Sequence, residues 1–182
     1  ALFSGGKDST YAIHLAKKLS HSVDVLLTLY PHSSDSHLLH HPNIKFTKLQ
    51  SESMDIPQLI EEIPSVDTET EFKKLEKLIV SAKENYSIEG IVHGGILSNF
   101  QKDNFSSICK KHNLEVLSPL WNQNPELYMQ ELLKENFEYI ISSVSCDGLD
   151  DSWLGHIIDQ DRLGNLEKLQ TKFGFNLNFE GG

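Results

Sequence analysis

The sequence predicts an α/β chain in which a largely parallel sheet carries helices on both faces, followed by a smaller C-terminal α/β domain. Three observations carry this reading. Short apolar runs alternate with helical patterns from one end to the other. One stretch, Thr68 to Glu84, repeats Phe72, Leu75, Leu78, Ile79 and Ala82 at helical spacing, with Lys and Glu on its other face. A glycine pair stands between an apolar strand end at Ala1 to Phe3 and a helix whose Tyr11, Ala12, Leu15, Ala16 and Leu19 face inward.

The elements follow in order. Strands are expected near Ala1 to Phe3, Val23 to Tyr30, Gln58 to Ile60, Gly90 to His93, Glu115 to Leu117 and Tyr139 to Val144, with helices between them. The segment from Pro31 to Pro42 holds Ser, Asp and four histidines without periodicity and reads as a ligand-covering loop. A helix from about Ser98 to Lys111 groups Phe105, Ile108, Cys109 and His112 on one side, and Asn113 supplies its stop. Pro125 suits the first turn of a helix running to about Asn136. Gly148 turns the chain into helical sequence from Trp153 to Phe173. The expected division lies near residue 110, into a nucleotide-binding half over 1–110 and a smaller substrate-side half over 111–182.

Composition narrows the function classes. The chain has 182 residues, 38% of them hydrophobic and 23% charged, enough to bury a sizeable core. Its 26 acidic against 16 basic residues leave a net charge of -10, opposite to the basic footprint of general nucleic-acid binding. Cys109 and Cys146 stand far apart with no CxxC pair, which fits a reducing, cytoplasmic setting. No stretch reaches the roughly 18 apolar residues that cross a bilayer, and the first residues lack the design of a signal peptide. The opening on Ala1-Leu2-Phe3 and the closing Glu180-Gly181-Gly182 both read as cut ends.

The sharpest feature is Ser4-Gly5-Gly6-Lys7-Asp8-Ser9-Thr10. Adjacent glycines let the backbone come close to an anion, and the first-turn amides of the following helix have no acceptors within it and point at the same place. Ser4, Ser9 and Thr10 offer hydroxyl donors and Lys7 a full charge. The overall negative charge does not oppose this, because charges beyond a Debye length of ~8 Å are screened while loop amides touch the ligand. Asp8 beside phosphate asks for a divalent cation or a capping role, and Mg2+ is the economical explanation, with Asp8 as its ligand. The loop is neither GxxxxGK[ST] nor GxGxxG.

SGGKDS in this position resembles the PP-loop of the ATP pyrophosphatases, which cleave ATP between the α and β phosphates. Further segments resemble the archaeal type of the diphthine–ammonia ligase family: His40-His41-Pro42-Asn43-Ile44, Leu49 to Pro57, Gly94-Gly95-Ile96-Leu97-Ser98-Asn99-Phe100-Gln101, Pro119-Leu120-Trp121, Gly148 to Gly155 and Glu180-Gly181-Gly182. Phe100 stands where that family has tyrosine, and the second acid of its EGGE segment is missing after Gly182. The resemblance implies a Rossmann-like sheet of the adenine nucleotide alpha hydrolase kind. It also implies ATP and Mg2+, and amidation by ammonium of diphthine on translation elongation factor 2, through an acyl-adenylate. The negative charge and the lack of a spanning apolar stretch argue against nucleic acid or membrane as direct partners, and a homodimer is left open.

On this reading Ser4, Gly5, Gly6, Lys7, Asp8, Ser9 and Thr10 hold the phosphates, and Lys7 and Asp8 act in catalysis. Gly94 and Gly95 lie at the carboxyl end of a strand, where open α/β sheets place ligands. Ser98 serves substrate contact or the cap of the next helix, uses that ask for the same residue type. Leu29 and Tyr30 resemble the place where the superfamily receives adenine, or are plain strand residues. His40 is a candidate donor near phosphate. The irregular spacing of His32, His37, His40 and His41, with no completing ligands, weighs against zinc. Glu180 is a candidate for recognising the quaternary ammonium of diphthine. Trp121 and Trp153 are expected to pack the smaller domain, and Cys109 to fill the core. Two other readings stand beside the ligase: adenylation of a different acceptor, such as a tRNA base or small carboxylate, and a module that holds ATP or AMP without turnover.

Overall fold

A computed structural model describes residues 1–31, 44–63, 67–96 and 99–179, the side chains of 100 and 101 excepted. The chain forms two compact units, Ala1–Trp121 and Asn122–Gly182. In the first, β1 (Leu26–Pro31) pairs in parallel with β2 (Gln58–Ile63), and β3 (Gly90–Val92) pairs in parallel with β4 (Glu115–Leu117). The N-terminal residues join the two pairs. Leu27 N–H donates to Ala1 O at 2.7 Å, Phe3 N–H to Leu27 O at 2.9 Å and Leu2 N–H to Val92 O at 2.9 Å. The order is therefore β2, β1, residues 1–3, β3, β4. From residues 1–3 the chain builds outward first to one side and then to the other, so a topological switch point falls between residues 1–3 and β3. Since β4 belongs to this sheet, the first unit extends past residue 110 to Trp121.

Strand alternation sends neighbouring side chains to opposite faces. Leu27, Leu29 and Ile91 join Leu75, Leu78, Ile79 and Ala82 of α3 (Thr68–Tyr86) and Phe105 and Cys109 of α4 (Asn99–Lys111) in one cluster. Leu26 instead meets Ile13 of α1 (Lys7–Lys18) together with Phe3 and Ile56, and Val92 meets Ala12 and Ala16 of the same helix. Helices thus cover both faces, as expected. Two details of the amphipathic readings change. In α1, Ile13 is buried whereas Leu19 is 59% exposed, because the helix ends at Lys18 and Leu19 is its cap. Glu71, assigned by period to the solvated face of α3, is buried.

Helix boundaries follow local chemistry. Asp67 accepts from Thr70 N–H at 3.0 Å at the start of α3, where its carboxylate also favours the positive end of the helix dipole. Asn113, with φ 51°, follows α4 as the expected stop. The helix α2 (Thr47–Met54) closes on Asp55 in the left-handed region.

In the second unit Asn124 caps α5 (Pro125–Lys134) by accepting from Leu127 N–H, with Pro125 in the first turn. Tyr128, Met129 and Leu132 of this helix and Leu163 and Leu166 of α6 (Gln160–Phe173) are buried. Tyr139 to Val144 forms no regular strand. Its pairing is limited to isolated bridges, Ile140 with Ile157 and Ile141 with Leu154, which run in opposite senses and so cannot extend one ladder. The helix expected from Trp153 begins at Gln160 because Asp159 caps it, and Asp151–Trp153 is a short 3-10 turn. Trp121 is the last residue of the first unit, with Lys102 Nζ 4.1 Å from its ring centroid.

Candidate functional site

The loop from Ser4 to Thr10 leaves residues 1–3 at the switch point and runs straight into α1. Gly5 has φ +78°, and a Cβ there would lie 2.4 Å from Gln50 Oε1 and 3.0 Å from Thr47 Cγ2. The second contact brings α2 against the turn, and Gln50 Nε2 donates to Gly5 O at 2.9 Å. Gly6 is the N-cap of α1 and has no side chain to satisfy the first-turn amides. Among the described residues, a Cβ on Gly6 would meet only Ser4 Oγ, at 3.5 Å, so Gly6 itself leaves that side of the helix start uncrowded. Hydroxyls brace the loop from within. Ser9 Oγ donates to Gly6 O at 3.0 Å, Thr10 Oγ1 donates to the same oxygen at 2.9 Å, and Ser4 and Ser9 Oγ lie 3.2 Å apart. These bonds hold a cradle of N–H groups whose chemistry suits an anion.

Lys7 Nζ lies 2.6 Å from Asp8 Oδ1, with side chains 11% and 29% exposed. The pair places a cation and a carboxylate together at the helix start. One carboxylate fits a Mg2+ ion carried mainly by phosphate oxygens, which needs few protein ligands. Among the described residues no group of three or more His, Cys, Asp or Glu stands close enough for an all-protein metal site.

The second wall is the turn after β3. A Cβ on Gly94 would sit 2.5 Å from Asp8 C, 2.6 Å from Asp8 O and 2.7 Å from Ser9 N, so the Gly94 backbone lies directly on the first turn of α1. Beneath the loop, Thr28 Oγ1 donates to Phe3 O at 2.8 Å and accepts from Gln58 Nε2 at 2.7 Å. Leu29 commits its side chain to the core, leaving only its backbone for a ligand, and Tyr30 beside it is half-buried. The structure therefore brings Ser4 to Thr10 and Gly94 together, with Gly95 next in the same turn. His40, Ser98 and Glu180 lie outside the described residues.

Sequence reasoning missed Thr28, Gln50, His93 and Ser118 around this loop. Thr28 carried a signal, a lone hydroxyl in an apolar strand that is wholly buried. His93 is 2% exposed, accepts from Gly95 N–H through Nδ1 at 3.1 Å and lies with Nε2 2.7 Å from Ser118 Oγ. Burial, helped by the Lys102 charge, lowers its pKa to about 4. The unfolded chain protonates this ring near its usual 6.5 and the folded protein only near 4, so the stability it contributes is complete above 6.5 and is lost as pH falls towards 4. The unfolding midpoint is expected to drop more steeply between pH 7 and pH 5 in the wild type than in His93→Asn. Equal slopes in thermal scans would assign the acid sensitivity elsewhere.

Comparison with known proteins adds to this geometry. The family described as "Diphthamide synthase N-terminal domain" matches residues 1–116, and "Diphthamide synthase C-terminal domain" matches residues 124–182. The chain belongs to the diphthamide synthase family. Curated relatives named "Diphthine--ammonia ligase" include the protein of Bos taurus, 34% identical over all of this chain and 74% of its own length. That of Homo sapiens is 32% identical with the same coverage. That of Danio rerio is 27% identical over all of this chain and 77% of its own. A solved chain, a predicted subunit of tRNA methyltransferase from Methanocaldococcus jannaschii, aligns with 92% of this chain and 85% of its own at 17% identity and a TM-score of 0.42, a likeness too slight to bear on fold or function. The two diphthamide synthase matches fall on either side of the boundary between the compact units. No helix among the described residues is long and apolar enough to cross a membrane.

Proposed function

We propose that this chain is an ATP-dependent ligase that amidates diphthine on translation elongation factor 2 with ammonium, through an acyl-adenylate, releasing AMP and pyrophosphate. The observation that carries the reading is the glycine loop at the switch point, backed by Gly94 against the first turn of α1, in a chain of the diphthamide synthase family.

A carboxylate resists ammonia because its oxygen is a poor leaving group. In the proposed first step a diphthine carboxylate oxygen attacks the α-phosphorus of ATP and the bond to the β-phosphate oxygen breaks, expelling pyrophosphate. The Ser4 to Thr10 cradle binds the β and γ phosphates, and its first-turn amides face the charge that grows on the leaving group. Lys7 adds a full positive charge at the same place. Asp8 would hold Mg2+, which would supply further charge neutralisation. In the second step ammonium loses a proton to solvent, the resulting ammonia attacks the acyl carbon, AMP leaves with the electron pair of the broken bond, and the attached nitrogen releases a second proton to give the amide. No side-chain nucleophile is required. Cys109 suits none, since it is fully buried and its thiol is pushed up to about 11. Leu29 and Tyr30 present backbone groups for adenine, His40 a donor to phosphate, Ser98 a contact to substrate and Glu180 a carboxylate to the trimethylammonium group. The unit Ala1–Trp121 serves the nucleotide and Asn122–Gly182 the protein substrate.

The test incubates the protein with labelled ATP, Mg2+, ammonium and diphthine-bearing elongation factor 2, then measures nucleotides and the intact mass of the factor. AMP and pyrophosphate are expected only when the factor is present, together with the mass change from acid to amide. AMP without a change in the factor moves the activity to another acceptor. ATP binding with no AMP under any condition overturns the ligase reading in favour of a binding module.

A further inference from the structure

We propose that His93 is a positioning residue for the nucleotide, its buried ring setting the Gly94–Gly95 turn against the first turn of α1 and thereby the spacing of the phosphate cradle. The proposal rests on the ATP-ligase reading above. The ring is fixed from several directions. Gly95 N–H donates to Nδ1 at 3.1 Å, so Nδ1 carries no proton. A neutral imidazole then has its proton on Nε2, which points at Ser118 Oγ 2.7 Å away, just beyond β4. Phe105 of α4 closes the side with its ring edge, the centroids 5.2 Å apart and the planes at 72°. With 2% of the residue exposed, water does not compete for these bonds.

The position of the ring gives it leverage. The backbone of His93 makes the last rung between β3 and β4, its N–H donating to Leu117 O at 3.1 Å. Beyond that rung the imidazole continues the cross-link through side-chain atoms and determines how the chain turns at Gly94. Gly94 in turn packs on Asp8 and Ser9 with no room for even a Cβ between them. A displaced turn must therefore carry the amides of the α1 first turn with it, and those are the groups proposed to hold phosphate.

Two replacements separate the bonds. In His93→Asn the side-chain oxygen falls near the place of Nδ1 and still accepts from Gly95. In His93→Gln the polar end falls near the place of Nε2, reaches towards Ser118 and leaves Gly95 without its acceptor. We expect His93→Gln to raise the KM for ATP at least about tenfold, while His93→Asn stays within about threefold of wild type and kcat changes less than KM in both. Isothermal titration with ATP and Mg2+ should rank the three proteins in the same order, and thermal unfolding reports their stability separately. If both variants lose stability yet keep the wild-type KM and ATP affinity, the ring is structural and the positioning role is overturned while the ligase reading stands. A wild-type protein that neither binds ATP nor forms AMP overturns both.

Discussion

Replacing Lys7 with alanine is expected to lower AMP formation by about 10²–10³-fold at saturating ATP, the cost typical of removing one preorganised charge or donor from a leaving group in transition. The expected loss is large because the ammonium does two jobs at one point. It lies 2.6 Å from Asp8 Oδ1 and is only 11% exposed, so its removal takes a cation from the phosphate side and also leaves the Asp8 carboxylate facing that side without this partner. Two unit charges 4 Å apart at an effective dielectric of 20 interact by about 4 kcal/mol, so a cation lost from beside a triphosphate outweighs any single neutral hydrogen bond of the cradle, which is worth about 1 kcal/mol. Single-turnover measurement of AMP separates the outcomes. A fall in kcat with little change in ATP affinity assigns Lys7 to the transition state. A change in affinity alone, with kcat intact, would make it a binding residue only.

Substituting Gly94 by valine is expected to cost about 1–3 kcal/mol in stability, lowering the unfolding midpoint by roughly 3–10 °C, and to weaken ATP binding at least about tenfold. The reason is the identity of the atoms in the way. A Cβ at this position would meet Asp8 C at 2.5 Å, Asp8 O at 2.6 Å and Ser9 N at 2.7 Å, all backbone atoms of a helix that cannot rotate aside as a side chain does. Only separation of β3 from α1 relieves the clash, and that opens the cradle. Gly164 is the matched control. It lies in α6, where a Cβ would meet nothing within 4 Å, so Gly164→Ala should raise stability by about 0.5–1 kcal/mol and leave nucleotide binding unchanged. Calorimetric titration of ATP alongside thermal unfolding checks both substitutions, and wild-type affinity in the Gly94 variant would show that the contact is dispensable to the site.

Much of the fold was legible because the strongest sequence signals are local and periodic. Phe72, Leu75, Leu78, Ile79 and Ala82 place a helix at Thr68–Tyr86 whatever it packs on, and the apolar runs at Leu26–Pro31 and Gly90–Val92 mark buried strands. Leu19 and Glu71 mark the limit of such reasoning. Leu19 continues the period of α1 but stands past its end, and Glu71 continues a polar face yet is buried. The Tyr139 to Val144 segment has the composition of a strand, but the residues brought beside it bridge in opposite senses, so no ladder forms.

The sequence by itself determined most of the element order of the first unit, the glycine loop with Lys7 and Asp8 at a helix start, and the chemistry that such a loop suits, because each depends on neighbours a few residues apart. Only the tertiary structure decided that residues 1–3 lie between β1 and β3, that Gly94 backs onto Asp8, that Gln50 holds Gly5 and that His93 ties Gly95 to Ser118. Those partners are distant in sequence and carry no period. Their meeting is set by the order in which strands add to the sheet and by the lack of a Cβ where two backbones touch, and neither is encoded in any short stretch of residues.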